Sequence, residues 1–364
     1  MKSIFSLFLV LVLFLACAEK VRRPKVEKPP AYRSLYEDGL SLLEKGDIEE
    51  AKKVFNKITA IRSDVAEGYA GLALSEAEEK NFDNAMAFAG RAIEKETASV
   101  AALFAMARIM TLSHEDITGL QKAVQLFDRA IDLEPRNDRL HYYKGLTLKK
   151  AQEYEKAIHA FIKALAIEGS YANRAEIELQ TLRHVERLKP ENKQSWEIGL
   201  EEAIARGELA YLLVEELDLP GLMKKYKPDD HSAIGKSGSM VITDIADHPA
   251  KEKIYLLVRL DIMDVYPDQT FRADKALTRA HFAVTLQRLL VYLSRDESIQ
   301  TRYSGTSSII SDVPSTHYAY NAVRVMIDLD IMQTSDDAFH PSEPVSGMTA
   351  LAAMNEILNV VERI

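Results

Sequence analysis

The amino-acid sequence predicts a mainly α-helical protein built from two sets of internal repeats. In the N-terminal half, alanines recur at the period of a helix pair, as Ala51 and Ala85 do with a spacing of 34 residues. Near the C-terminus, the sequence pattern that begins at Asp244 is repeated from Asp312, 68 residues later. We therefore expect a helical-hairpin solenoid followed by a helical domain made of related units.

The N-terminus has the features of an export signal. Lys2 precedes an apolar run from Ile4 to Ala16, which is typical of a signal peptide and too short to cross a bilayer. Cys17, the only cysteine of the chain, follows a small residue, as in a bacterial lipobox. We predict that residues 1–16 are a signal peptide and that Cys17 is acylated. The alternative is an ordinary signal peptide or anchor with an incidental cysteine.

Residues 17–31 are charged, rich in proline and almost free of apolar side chains, which predicts an extended tether with no core of its own. The chain after this tether is long enough for two domains. A net charge of -9 with both signs interspersed disfavours a nucleic-acid binder, which usually carries a basic patch.

Residues 32–190 predict a solenoid of about four hairpins and a capping helix. Ala123 and Ala157 repeat the 34-residue spacing, and small and aromatic residues recur in phase. This pattern resembles the tetratricopeptide repeat (TPR), and the resemblance implies a concave face that binds a protein partner. The alternative is a face that is solvated or packs on the second domain. The groove candidates on the first helix of each hairpin are Tyr36, Leu40, Leu74, Phe104, Arg108, Tyr142 and Leu146.

The C-terminal repeat consists of a turn-rich loop, VYPDQTF at 265–271, and a helix opening, LTRAHFA at 277–283. Phe271 and Phe339 are also 68 residues apart, so we expect one register across both copies. The pattern resembles the S-layer homology (SLH) motif, which implies three units around a pseudo-threefold axis. The corresponding domain is predicted at 195–364, with a partial copy at 195–218 and fuller copies at 242–293 and 310–361.

The helix openings of these copies are the predicted ligand sites. An arginine at a helix start opposes the helix dipole, and a bound anion would account for its presence. The resemblance implies that these arginines bind an anionic cell-wall glycan; the alternative is a solvated arginine whose stem covers a neighbouring unit. The candidate glycan-binding residues are Arg206, Glu208, Thr278, Arg279, Tyr266 and Asp268.

The copies also depart from the motif. Gly347 stands where the third copy should have an arginine, so at most two of three sites are expected to be intact. The loop of the second copy has Val265 and Gln269 in place of glycines, which predicts an altered turn.

No sequence motif of an enzyme, cofactor or metal site is present: GxSxG, HExxH and the P-loop are absent, and no cysteine nucleophile is expected. We predict a non-enzymatic lipoprotein of the bacterial envelope, in the outer membrane facing the periplasm. Its SLH domain would bind peptidoglycan or an associated glycan, and its TPR array would bind a protein. One alternative is an assembly scaffold whose SLH-like domain no longer binds glycan. Another is a glycan-cleaving enzyme.

Overall fold

The computed structural model describes residues 31–114, 116–227 and 241–363. The predicted signal peptide, Cys17 and all but the last residue of the tether lie outside these ranges. Within them the chain forms helices and no extended strand, which confirms the mainly α class. None of the described helices has the length and apolar content needed to cross a bilayer.

The chain divides into two compact units, 1–134 and 135–364. In the first unit the described helices pair as three hairpins: α1 (Ala31–Glu44) with α2 (Ile48–Ile61), α3 (Ala66–Glu78) with α4 (Phe82–Lys95), and α5 (Val100–Ser113) with α6 (Ile117–Leu133).

Glycines allow the helices of the first unit to approach closely. Phe55 on α2 is fully buried, and its ring lies against Gly39 of α1 and Gly71 of α3. A Cβ atom at these glycines would come within 2.4 and 2.1 Å of that ring. The same pairing recurs in the second unit, where Gly145 lies against Phe161. An aromatic side chain thus fills the space that a glycine leaves, which explains the small and aromatic pattern of the repeats.

The second unit begins with the fourth hairpin and continues through the C-terminal repeats. Its helices are α7 (Asp138–Lys150), α8 (Tyr154–Ala166), α9 (Ala172–Arg187), α10 (Lys193–Gly199), α11 (Arg206–Tyr211), α12 (Leu219–Tyr226), α13 (Lys251–Arg259), α14 (Arg279–Ser294), α15 (Tyr320–Asp328) and α16 (Gly347–Arg363).

The fourth hairpin packs directly on the C-terminal repeats. Tyr154 of α8 stacks on Trp196 of α10, with ring centroids 4.7 Å apart and planes at 10°. Asn355 of α16 donates from Nδ2 to the carbonyl of Leu188 after α9, at 3.3 Å. The boundary predicted between 190 and 195 therefore lies inside one compact unit.

Three backbone hydrogen bonds close the C-terminal repeats into a ring. The Ile204 N–H donates to the Val345 carbonyl at 2.8 Å, Val345 donates to Leu277 at 3.0 Å, and Leu277 donates to Ile204 at 2.9 Å. Each of these residues stands two positions before a helix, namely α11, α14 or α16. All three side chains are buried. This cyclic pattern is the arrangement expected for three related units, including the partial first copy.

The 68-residue register holds only at the ends of the repeat. Asp261 and Asp330, which follow helices α13 and α15, both have left-handed backbones with φ of 55° and 56°, and they are 69 residues apart. The third copy therefore has one extra residue before its first helix and one fewer in its loop. The expectation of a constant spacing was wrong for the intervening helix.

Candidate functional site

Arg206 at the start of α11 is buried, with 7% of its surface exposed. Its Nε donates to the carbonyl of Phe271 at 3.0 Å, and one terminal nitrogen donates to the carbonyl of Asp264 at 2.7 Å. The guanidinium also lies over the Phe271 ring, 4.5 Å from the centroid. Both carbonyls belong to the loop of the second copy, so the arginine of the first copy holds the loop of the next.

Arg279 at the start of α14 makes the equivalent contacts one unit further on. Its Nε donates to the Phe339 carbonyl and a terminal nitrogen donates to the Gln333 carbonyl, both at 2.7 Å. Its guanidinium lies 4.6 Å from the centroid of the Phe339 ring. Arg279 is only half-buried, but it fixes the third loop in the same manner as Arg206 fixes the second.

These contacts give both arginines a structural role that the sequence did not predict. The acceptors that offset the unfavourable dipole are backbone carbonyls of a neighbouring copy, so no bound anion is needed to explain Arg206 or Arg279. Burial lowers the pKa of both guanidinium groups. The sequence predicted an arginine that either binds a ligand or is solvated. Neither alternative included hydrogen bonds to the loop of the next copy.

The third unit closes the ring without an arginine. The Gly347 N–H donates to the Glu201 carbonyl at 2.9 Å. A Cβ atom at Gly347 would lie 1.6 Å from the carbonyl oxygen of Ile198, so only glycine fits here without a shift of the backbone. Residues 198–201 thus pack directly against the start of α16, and this part of the first copy has no loop for an arginine to hold.

Two aspartates hold the same loops from the other side. The Asp244 carboxylate accepts the N–H groups of Phe271 and Arg272, both at 2.7 Å. Asp312 accepts those of Phe339 and His340, at 2.8 and 2.7 Å. Sequence reasoning used these aspartates to mark the repeat but missed their role, which their fixed distance from the loop could have indicated.

These contacts favour the charged form of the Asp312 carboxylate. Burial opposes ionisation, but hydrogen bonds from the Phe339 and His340 N–H groups outweigh it and lower the pKa of Asp312.

The loop of the second copy keeps a tight turn although its glycines are lost. Gln269 takes a left-handed backbone with φ of 63°, and Asp337 does so at the equivalent position with φ of 60°. Asp268 accepts from the Thr270 hydroxyl at 2.6 Å and from Arg272 at 2.9 Å. These hydrogen bonds lower the pKa of Asp268 to about 2. Asp268, a predicted glycan ligand, is thus exposed and engaged in the turn itself.

Two predicted glycan ligands, Thr278 and Glu208, cap helix starts. Thr278 accepts the His281 N–H at 3.4 Å, and the Glu208 carboxylate accepts the Ala205 N–H at 2.6 Å. A further pair of caps was not predicted from the sequence. His248 and His317 each accept, through Nδ1, the backbone N–H two residues later, at 3.1 and 3.2 Å.

Tyr266 is the centre of a surface where cations and aromatic rings meet. The guanidinium carbon of Arg272 lies 4.0 Å from its ring centroid, and the Lys275 ammonium lies 5.2 Å from it. Lys275 also donates to the Tyr266 hydroxyl at 3.2 Å. Arg272 and Lys275 are exposed, and Tyr266 is half-buried. A cationic, aromatic surface of this kind suits a sugar that carries an anionic group.

Two more side chains extend this surface. The His281 ring lies 5.7 Å from that of Tyr318, which is 65% exposed. Burial, together with the charges of Arg206 and Lys275, lowers the pKa of His281, so its ring is neutral at neutral pH. We call Tyr266, Arg272, Lys275, His281 and Tyr318 the aromatic–cationic cluster.

The cluster combines four residues of the second copy with Tyr318 of the third, and the third copy does not repeat it. In the third copy, Ser335 takes the place of Tyr266, 69 residues later, and Glu343 takes the place of Lys275, 68 residues later. The equivalent loop is therefore held in the same way but presents neither the tyrosine nor the ammonium.

The predicted groove residues of the hairpins are mostly internal. Tyr36, Leu40, Leu74 and Phe104 are only 4–6% exposed. The Tyr36 and Phe104 rings, for example, lie 5.9 and 6.2 Å from those of Phe55 and Phe127. These four residues belong to the core, which corrects their predicted placement on an open groove.

The other three groove candidates reach the surface at least in part. Arg108 forms an ion pair with Glu78 at 3.1 Å. Tyr142 packs against the Tyr171 ring at 5.3 Å, and Leu146 is half-buried.

Comparison with known proteins identifies the two kinds of repeat. A model of the S-layer homology domain matches residues 241–283 and 309–351, and a model of the tetratricopeptide repeat matches residues 36–100 and 113–173. The chain combines tetratricopeptide repeats with S-layer homology domains. Both are families of binding or scaffold domains, and the second indicates association with the cell envelope.

Individual relatives are distant. A cellulosome-anchoring protein of Acetivibrio thermocellus is 25% identical over 131 residues, which are 35% of this chain and 28% of that protein. The chain thus matches well under two thirds of that relative. Among solved structures, Pseudomonas aeruginosa pilF is 18% identical and covers 55% of this chain and 93% of its own, with a TM-score of 0.35. A thermophilic TPR protein of Thermus thermophilus is 17% identical, with coverages of 52% and 96% and a TM-score of 0.37.

Proposed function

We propose that this chain is a lipid-anchored protein of the cell envelope whose SLH repeats bind peptidoglycan or an associated anionic glycan. The observation that carries the proposal is the aromatic–cationic cluster. Exposed Arg272 and Lys275 flank Tyr266, and exposed Tyr318 offers a second ring for a sugar face. The SLH family and the similarity to a cellulosome-anchoring protein both support a surface role.

The hairpins of the chain would bind a protein partner, in line with the TPR family. A lipid at Cys17 would then anchor the N-terminus in the outer membrane, facing the periplasm, while the SLH repeats bind the cell wall.

Incorporation of radiolabelled palmitate in the producing bacterium tests the lipid anchor. Label in the wild type and its loss in Cys17→Ala are expected; label that persists in the variant would refute acylation at this residue.

Glycan binding is tested by sedimentation of the full chain with purified cell-wall sacculi. Arginine variants are unsuitable, because Arg206 and Arg279 hold the loops and their removal would weaken binding through the fold. Lys275→Glu and Tyr318→Ala change exposed side chains instead. Each should weaken binding by roughly tenfold, since each removes an ionic or a stacking contact of about 1 kcal/mol or more. Lys224→Glu, an exposed change of the same charge on α12, should bind as the wild type does.

A second candidate function is an envelope assembly scaffold whose SLH repeats bind only protein. The lack of the cluster in the third copy, with Ser335 and Glu343 in place of tyrosine and lysine, favours it. Sedimentation that is unchanged in the Lys275→Glu, Tyr318→Ala double variant would overturn the glycan site and favour this scaffold.

A further inference from the structure

A cleft of about 560 Å³ lies beside the fourth hairpin, within the C-terminal unit, and shares no lining residue with the aromatic–cationic cluster. One wall comes from the end of α7 and the turn into α8, and the other comes from α10 and the segment that leads into α11. The first wall presents Leu146, Lys149 and Lys150, and the second presents Glu197, Glu201 and Glu208.

The two walls are tied together along one edge. Tyr154 from the first wall stacks on Trp196, which belongs to α10 on the second. The Gln152 amide donates a hydrogen bond to the Glu197 carboxylate. Burial raises the pKa of Tyr154 to about 12, so this ring stays neutral. The cleft is therefore preformed, and a ligand would enter it without first separating the walls.

The charges of the cleft do not balance. Glu197, Glu201 and Glu208 line one wall, whereas Lys149 and Lys150 line the other. The Lys149 ammonium is already in an ion pair, at 2.8 Å, with a carboxylate of α9. Within residues 31–114, 116–227 and 241–363, the Glu201 carboxylate has no ion-pair partner. The cleft thus has a surplus of negative charge beside the aliphatic side chains of Leu146, Ile198 and Leu200.

We propose that this cleft binds a short basic segment of a partner protein, with a lysine or arginine between the carboxylates of Glu197, Glu201 and Glu208. The inference rests on the proposed role of the hairpins in binding protein, and it names the chemistry and the place of contact. The aliphatic stem of a lysine or arginine would cover Leu146 and Leu200, while its charge would offset the surplus of carboxylates. An anionic cell-wall polymer would be repelled by the same wall.

Trp196 is the only tryptophan of the chain and lies at the edge of this cleft, so its fluorescence reports occupancy directly. The probe is the capped pentapeptide GLKLG, titrated into the full chain, with GLELG as its charge-reversed counterpart. We expect a saturable change with GLKLG and binding of GLELG that is weaker by roughly tenfold.

Glu201→Lys should weaken the binding of GLKLG by roughly tenfold, so the affinities for GLKLG and GLELG should become more similar. Glu202→Lys makes the same change of charge at an exposed neighbour outside the cleft and should bind GLKLG as the wild type does. No saturable change with GLKLG, equal binding of both peptides, or equal effects of the two variants would overturn the inference.

Sedimentation with sacculi separates this site from the glycan site. Glu201→Lys should leave sedimentation unchanged, which would show that the two sites act independently. If the sacculi fail to bind while GLKLG binds, the glycan proposal fails and the cleft stands. If the sacculi bind while GLKLG does not, the cleft alone is overturned.

Discussion

The central prediction concerns Arg206, which the structure assigns to the stability of the C-terminal unit. Arg206→Ala removes two charge-assisted hydrogen bonds, to the carbonyls of Phe271 and Asp264, and the contact with the Phe271 ring. Such bonds are each worth about 1.5–3 kcal/mol, and the cation–π contact about 1 kcal/mol. The buried guanidinium also carries a desolvation cost that the variant no longer has. We expect a net loss of about 3 kcal/mol in the free energy of unfolding.

Chemical denaturation followed by Trp196 fluorescence measures this loss, because the single tryptophan lies in the C-terminal unit. Arg272→Ala is the matched control: its side chain is 44% exposed and pairs with Asp268 at the surface, so its loss should cost under about 1 kcal/mol. Arg206→Lys keeps the charge but cannot reach both carbonyls, and should fall between the two. Equal destabilisation by Arg206→Ala and Arg272→Ala would refute the assignment.

Three further predictions concern Asp312, Gly347 and the boundary of the C-terminal unit. Asp312→Ala should lower stability at pH 7 by about 2–3 kcal/mol, because two buried N–H groups lose their acceptor. The folded-state pKa of Asp312 lies below its ordinary value of 3.8, so its contribution is present above pH 3.8 and is lost as the pH falls through the lowered value. Urea unfolding from pH 7 to pH 2 should therefore show a smaller acid-induced loss in the variant; an unchanged pH profile would contradict this. Gly347→Ala should cost about 2 kcal/mol or more in urea unfolding, since its Cβ would overlap the Ile198 carbonyl; a wild-type midpoint would contradict the packing. Residues 135–364 should give a cooperative thermal transition, whereas residues 195–364, which lack the fourth hairpin and α9, should not; a cooperative transition of the shorter piece would show that the SLH repeats fold without the hairpin.

The helical class and the two repeats were predictable because they depend on local periodicity. The pattern of small and aromatic residues placed the hairpins, as Phe55 and its glycine neighbours illustrate. The turn of the second loop was less predictable. Gln269 takes a left-handed backbone, which ordinarily favours glycine, and the hydrogen bond from the Thr270 N–H to the Asp268 carboxylate fixes the turn around it.

The role of the arginines could not be predicted from residue types. The acceptors of Arg206 lie 58 and 65 positions away along the chain, and they are backbone carbonyls, which every residue has. An arginine at a helix start is the sequence pattern expected for an anion site, and an arginine that binds backbone carbonyls of another copy has the same sequence pattern. The groove candidates of the hairpins could not be placed from sequence either. The spacing of Leu40 and Leu74 fits the buried face of a helix as well as the open face, and only the structure shows that both are buried.

The departures of the first and third copies meet at one interface and compensate each other. Arg206 and Arg279 each hold the loop of the next copy, whereas the third link is made by the N–H of Gly347 and the carbonyl of Glu201. Since the first copy has no loop, an arginine at 347 would lack the carbonyls that stabilise the other two, and Ile198 occupies the space it would need. The missing arginine of the third copy and the missing loop of the first copy are therefore the two halves of one absent contact. Their absence reflects how the ring closes, and it argues neither for nor against ligand binding at the aromatic–cationic cluster.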